Sequence, residues 1–156
     1  MSLGSNLGDR EVNLRRAVEL LEANGVNTLR VSSLYETEPR DLRAQPWFLN
    51  IALSAETRLF PLQLLGRIGA IQAQMGRKRA IPKGPRLIDI DILLFGNFVV
   101  AIPGLAIPHP RMAERRFVLE PLAEIAPGLR HPVLRRTIAE LLPNTHAQPV
   151  KLLRDW

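Results

Sequence analysis

Trp47-Phe48-Leu49-Asn50-Ile51-Ala52-Leu53-Ser54-Ala55-Glu56-Thr57 alternates throughout its length. Leu49, Ile51, Leu53 and Ala55 fall on one face and Phe48, Asn50, Ala52 and Ser54 on the other, the period of two that a strand imposes. Pro61 suits a first helical position, and Leu65, Ile68, Ile71 and Met75 carry a helical stripe to Gly76. Upstream, Glu38–Pro46 reads as a loop, and Leu29, Val31, Ser33 and Tyr35 alternate with Arg30, Ser32 and Leu34 as a second strand. Before it, Asp9 is an N-cap for a helix over about Arg10–Ala23, with Leu14, Ala17, Val18 and Leu21 on one face and Gly25 to end it. Only Met1–Leu3 precede the turn cluster Gly4–Asp9, so the opening strand is expected to be very short. Downstream, the basic loop Arg77–Arg86 leads into a strand Leu87–Phe95, and Gly96-Asn97 turns toward Phe98–Val100. A proline-rich tail follows, with short helices near Glu114–Ile125 and Thr137–Leu142. The order β-α-β-β-α-β predicts an α+β, ferredoxin-like sandwich: an antiparallel sheet with helices packed on one face.

No repeat or linker divides the 156 residues, so one domain, 1–156, is expected. Apolar residues at 46% and charged residues at 23% exclude a disordered chain. No apolar run reaches the ~18–20 residues that span a bilayer. The absence of cysteine excludes a disulfide scaffold, and no secretory leader is visible, so a cytoplasmic location is expected. Twenty-one Lys+Arg against 15 Asp+Glu give +6, and the pI of about 10.9 favours polyanionic partners: nucleic acid, an anionic membrane or a phosphorylated small molecule. Aromatics at 5% are thin for a base-stacking surface.

Asp89-Ile90-Asp91 carries the sharpest chemistry. Side chains two apart on a strand share a face, and two carboxylates there repel unless a cation joins them. Mg²⁺ takes such oxygen ligands while sharing substrate phosphates; a solvated edge strand with two ordinary acids is the alternative. Immediately before lies Arg77-Lys78-Arg79-Ala80-Ile81-Pro82-Lys83-Gly84-Pro85-Arg86, with five cations, no acid, and a glycine and two prolines that bend it. A basic loop on RNA backbone is one reading. Cations feeding a carboxylate pair fit metal-bound polyphosphate better, and point to phosphoryl-type transfer. The chain has no G-x-x-x-x-G-K-[ST] phosphate loop, and Gly4–Gly8 reads as a strand-to-helix turn. His109, within Ile107-Pro108-His109-Pro110, reads from its residues alone as a surface or capping group.

Gly4-Ser5-Asn6-Leu7-Gly8-Asp9-Arg10 with Asn13-Leu14, Ser32–Thr37, Phe48-Leu49-Asn50, Met75-Gly76-Arg77, Gly84–Ile92 and Ile107–Met112 occur in that order. Together they resemble the 6-hydroxymethyl-7,8-dihydropterin pyrophosphokinase family of folate biosynthesis. The resemblance implies the ferredoxin-like fold and transfer of pyrophosphate from ATP to the pterin hydroxymethyl group, releasing AMP. It implies that Asp89 and Asp91 hold two Mg²⁺ ions and that Arg77 and Arg86 stabilise the transferring group. It places Gln72, Ile92, His109 and Arg115 on ATP, and Thr37, Phe48, Asn50 and Phe117 on the pterin, with Phe48 and Phe117 sandwiching the ring. The sequence departs from the family pattern at Phe48, often tyrosine; at Gln72, usually glutamate; at Pro82-Lys83, where a basic residue and an aromatic are common; and at Pro110, in some relatives tyrosine.

The expected partners are therefore ATP and the pterin, with no nucleic acid or membrane, on a monomer. An RNA-binding βαββαβ domain would explain the charge but needs sheet-surface aromatics, of which Phe48 is the clear candidate. A catalytically silent relative acting as an interaction module is the third reading; both aspartates and both bracketing arginines argue against it.

Overall fold

The computed structural model describes residues 1–39, 44–76 and 84–156. In chain order it contains β1 (Ser2–Ser5), α1 (Arg10–Ala23), β2 (Val26–Val31), β3 (Leu34–Thr37), β4 (Phe48–Thr57), α2 (Pro61–Gln74), β5 (Asp89–Asp91), β6 (Val100–Ile102), β7 (Leu105–Ile107), α3 (Arg116–Ile125), α4 (Ile138–Leu141) and β8 (Lys151–Arg154). The main sheet runs β5-β1-β4-β3-β8, all antiparallel, with β2 also paired to β4.

The helix starts follow their local chemistry. Asp9 accepts from the Val12 N–H at the head of α1, and Pro61 opens α2 where no backbone donor is required. Strand β4 pairs on both sides. Its first half meets β3 (Tyr35 opposite Asn50) and its second half meets β2 (Val31 opposite Leu53). The single strand expected over Leu29–Tyr35 is thus two. Ser32 explains the break: its N–H donates to Ala52 O and its Oγ accepts from Ala52 N–H, both at 2.9 Å, so a side chain takes over one rung of the ladder. With β2 and β3 taken as one bent strand, the order is the expected ferredoxin-like one.

Three other expectations change. Of Leu87–Phe95, only Asp89–Asp91 is strand, because its partner β1 offers only Ser2–Gly4 in register. Farther on, Leu93 O accepts from His109 N–H at 2.8 Å, which pulls the segment away from the sheet. The residues after the Gly96-Asn97 turn pair within a separate β6–β7 hairpin instead of folding back. The edge strand β8 was not expected at all; all four of its residues are exposed and carry no alternation.

Helices cover both faces, not one. Leu49, Ile51 and Leu53 of β4 pack with Leu14 and Leu21 of α1 and Leu64, Ile68 and Ile71 of α2. Each such buried aliphatic side chain contributes about 1.5–3 kcal/mol. On the opposite face Ala52 packs with Val118, Leu119 and Leu122 of α3 and Ile138 and Leu141 of α4. A side chain as small as alanine leaves room for α3 against the sheet, and the residues preceding Ala52 on that face lie beside the start of α3.

Candidate active site

Those residues, Phe48 and Asn50, form one wall of a cleft of about 170 Å³. Its floor is the strand trio β4-β1-β5: Gly4 lies opposite Asn50 on one side and opposite Asp89 on the other, and Ser2 lies opposite Asp91. Glycine keeps the centre open, because a Cβ on Gly4 would stand 3.0 Å from Asn50 Oδ1 and 3.6 Å from the Phe48 ring. Asn50 and Thr37 are buried, and Asn50 Nδ2 donates to Thr37 Oγ1 at 2.8 Å. The bond fixes the amide beside the aromatic ring.

Asp89 and Asp91 both face the cleft and are half-buried. Arg86 Nη1 donates to Asp89 Oδ2 at 2.7 Å, its Nε donates to Gly84 O at 3.2 Å, and its Cζ lies 6.0 Å from the Phe48 ring centroid. Arg115 and Phe117, at the start of α3, form the facing wall, with the guanidinium 5.6 Å from the ring centroid. The sequence-predicted residues Thr37, Phe48, Asn50, Arg86, Asp89, Asp91, Arg115 and Phe117 therefore share one cleft.

Of the remaining four, three are described, and none of those three lines the cleft. Arg77 lies outside the described residues, as do Pro82 and Lys83. Gln72 Oε1 accepts from Ile90 N–H at 3.0 Å, tying α2 to β5 behind the carboxylates. Ile92 has its side chain in the core, so any contact it makes to a ligand is through its main chain. His109 Nδ1 accepts from Arg111 N–H at 3.1 Å, which leaves the ring proton on Nε2. Burial, reinforced by the Arg115 and Arg111 guanidiniums, holds its pKa below the ordinary imidazole value.

Ser2, Gly4, Glu38, Gln45 and Arg111 also line the cleft, and the sequence assigned none of them a role. Arg111 lay within a quoted motif; Glu38 and Gln45 sit in a loop, where no periodicity marks a direction.

Among the described residues no cluster of three or more His, Cys, Asp or Glu side chains could encage a metal ion. A same-face carboxylate pair opening into a cleft is nevertheless the donor set expected for Mg²⁺, which keeps waters and completes its shell with phosphate oxygens. The residues fit that ion.

Residues 1–127 match the model of the 7,8-dihydro-6-hydroxymethylpterin-pyrophosphokinase family. The chain belongs to this family. The pyrophosphokinase match runs from β1 through α3 and includes every cleft residue; α4 and β8 follow it. Among curated members, the 2-amino-4-hydroxy-6-hydroxymethyldihydropteridine pyrophosphokinase of Bacillus subtilis is 48% identical over 126 residues, covering 80% of this chain and 75% of that protein. The folic acid synthesis protein fol1 of Pneumocystis carinii is 43% identical over 89% of this chain, which spans only 19% of that protein. In fold the chain is similar to the HPPK-DHPS of Plasmodium falciparum, with a TM-score of 0.77 at 19% identity, covering 91% of this chain and 44% of that one. No described helix of this pyrophosphokinase-family chain is long and apolar enough to cross a membrane.

Proposed function

We propose that the chain transfers a pyrophosphoryl group from ATP to the hydroxymethyl oxygen of 6-hydroxymethyl-7,8-dihydropterin, giving the pterin diphosphate and AMP. The observation that carries this reading is the convergence of an aromatic–amide wall (Phe48, Asn50) and a carboxylate pair (Asp89, Asp91) in one cleft, separated by the bare backbone of Gly4.

In this reading Phe48 and Phe117 stack on the two faces of the pterin, and Asn50, oriented by Thr37, reads its edge. The pterin hydroxyl oxygen attacks the β-phosphorus. A new O–P bond forms, the bond from the β-phosphorus to the α,β-bridging oxygen breaks, its electron pair leaves with AMP, and the hydroxyl proton passes to solvent. Asp89 and Asp91 would hold two Mg²⁺ ions, which when bound supply Lewis-acid neutralisation of the triphosphate. Arg86 and Arg77 stabilise charge on the transferring group, and the 2.7 Å bond to Asp89 keeps Arg86 aimed at the carboxylate floor. Gln72, Ile92, His109 and Arg115 serve the nucleotide, His109 as a neutral Nε2–H donor. The enzyme acts on small molecules, as a cytoplasmic monomer.

Incubating purified protein with ATP, Mg²⁺ and the pterin, and separating nucleotides by chromatography, tests the proposal. AMP formed only with pterin and Mg²⁺ together is the expected result, with Asp89→Ala and Asp91→Ala each lowering turnover by roughly 10³-fold while remaining folded. ADP as product, or full activity in either variant, would overturn it.

A further inference from the structure

Among the described residues three arginines line the cleft, and Arg111 is the one to which neither the motifs nor the family resemblance assigns a role. Its backbone is closely held. The Arg111 N–H donates to His109 Nδ1, the Met112 N–H donates to His109 O at 3.1 Å, and the fully buried Met112 side chain anchors the turn that follows. The guanidinium, in contrast, is loosely engaged. Its ion pair with Glu114 measures 3.8 Å, too long for a hydrogen bond, and the Glu114 side chain is 69% exposed. Arg86 differs in this respect, being committed to Asp89 at 2.7 Å.

A solvated arginine on an ordinary surface would present the same loose pair. Two observations set Arg111 apart. It borders the cleft together with the carboxylate pair, and it lies on the wall shared with Arg115, close enough to His109 that both guanidiniums disfavour protonation of that ring. A rigid backbone carrying an uncommitted planar fork at the rim of an anion-binding cleft is suited to bidentate capture of phosphate oxygens.

We infer that Arg111 is a nucleotide-binding residue that clamps the ATP polyphosphate from the His109–Arg115 wall of the cleft. The inference rests on the pyrophosphokinase reading and extends it to a residue outside the assigned set. Arg111 acts on binding: it stands near His109, as Arg115 does, and makes no hydrogen bond to Thr37, Asn50 or Phe48.

Titration calorimetry with Mg²⁺ and a non-hydrolysable ATP analogue, on wild type, Arg111→Ala and Arg111→Lys, tests it alongside steady-state kinetics. Arg111→Ala is expected to weaken the analogue about tenfold and raise the ATP KM to match, with the pterin KM unchanged. Arg111→Lys keeps the charge without the fork and should recover part of the loss; being conservative, it also guards against misfolding of the alanine variant. Analogue affinity within twofold of wild type in both variants, while wild type binds and turns over, would overturn the inference alone. A wild type that binds no nucleotide would overturn the enzymatic reading and the inference with it.

Discussion

Asn6 and Arg86, 80 positions apart, are bound to each other twice: Asn6 N–H donates to Arg86 O at 3.2 Å, and Arg86 N–H donates to Asn6 Oδ1 at 2.8 Å. The same amide reaches the other side of the cleft, its Nδ2 donating to Gln45 Oε1 and to Pro46 O, each at 3.0 Å. One buried side chain thus ties the segment bearing Arg86 to the segment leading into Phe48.

Asn6→Ala should therefore cost about 1–3 kcal/mol of stability, because it removes the partner of three part-buried groups, Arg86 N–H, Gln45 Oε1 and Pro46 O, and lower kcat about 10–100-fold at temperatures where the variant is fully folded. Asn6→Asp keeps the acceptor for Arg86 but sets a carboxylate oxygen against Gln45 Oε1 and Pro46 O. It should keep more activity than the alanine variant. Thermal melts combined with kcat measurements decide; unchanged kcat in folded Asn6→Ala would remove the positioning role.

Gly4→Ala would press a methyl group against Asn50 Oδ1 while leaving the face toward Arg115 untouched. The pterin KM is expected to rise about tenfold, equivalent to ~1.4 kcal/mol, with the ATP KM little changed. An equal rise in both constants would show that the sheet floor, and not the amide, had moved.

His131 is buried, and its Nδ1 accepts from the Leu134 N–H at 3.1 Å and the Val133 N–H at 3.3 Å. Burial lowers its pKa, as burial chiefly does for His109. The unfolded chain then takes up protons below the ordinary imidazole pKa that the folded chain refuses, so stability is full above about pH 6.5 and falls as pH drops below it. Asparagine can present an acceptor in place of Nδ1 without titrating. Denaturant midpoints at pH 7.5 and 5 should differ less in His131→Asn than in wild type; identical differences would exclude His131 as a source of the slope.

Arg135 has φ 56°, a left-handed conformation that disfavours any Cβ. Its N–H donates to His131 O at 2.8 Å, a bond that glycine keeps. Arg135→Gly should stabilise the fold by about 0.5–1 kcal/mol after the added unfolded-state entropy, a rise of about 2 °C in Tm. A lower Tm would mean that the arginine side chain contributes more than its backbone strain removes.

Elements governed by neighbouring residues were legible in the sequence. Helix α1 occupies Arg10–Ala23 as its cap and stripe predict, α2 starts at Pro61, and β4 alternates as read. The face shared by Phe48 and Asn50, and that shared by Asp89 and Asp91, follow from strand geometry alone. The division at Ser32 was hidden because the alternation continues through it; what interrupts the ladder is a hydroxyl meeting a backbone group 20 residues away. Strand β8 was hidden because none of its residues is buried, so hydrophobicity leaves no period to read.

By itself, then, the sequence determined which residues share a face, where the first two helices begin, the order of the core βαββαβ elements and the family, since each is carried by local spacing or by motifs in linear order. Tertiary structure decided the rest. It set the register that places Gly4 between Asn50 and Asp89, the Asn6 link between two distant loops, and the turn that brings Arg111 to the rim. These are meetings of backbone and side-chain polar groups far apart in the chain. Their partners are chosen when the sheet and its helical layers close together, and no short-range periodicity records that choice.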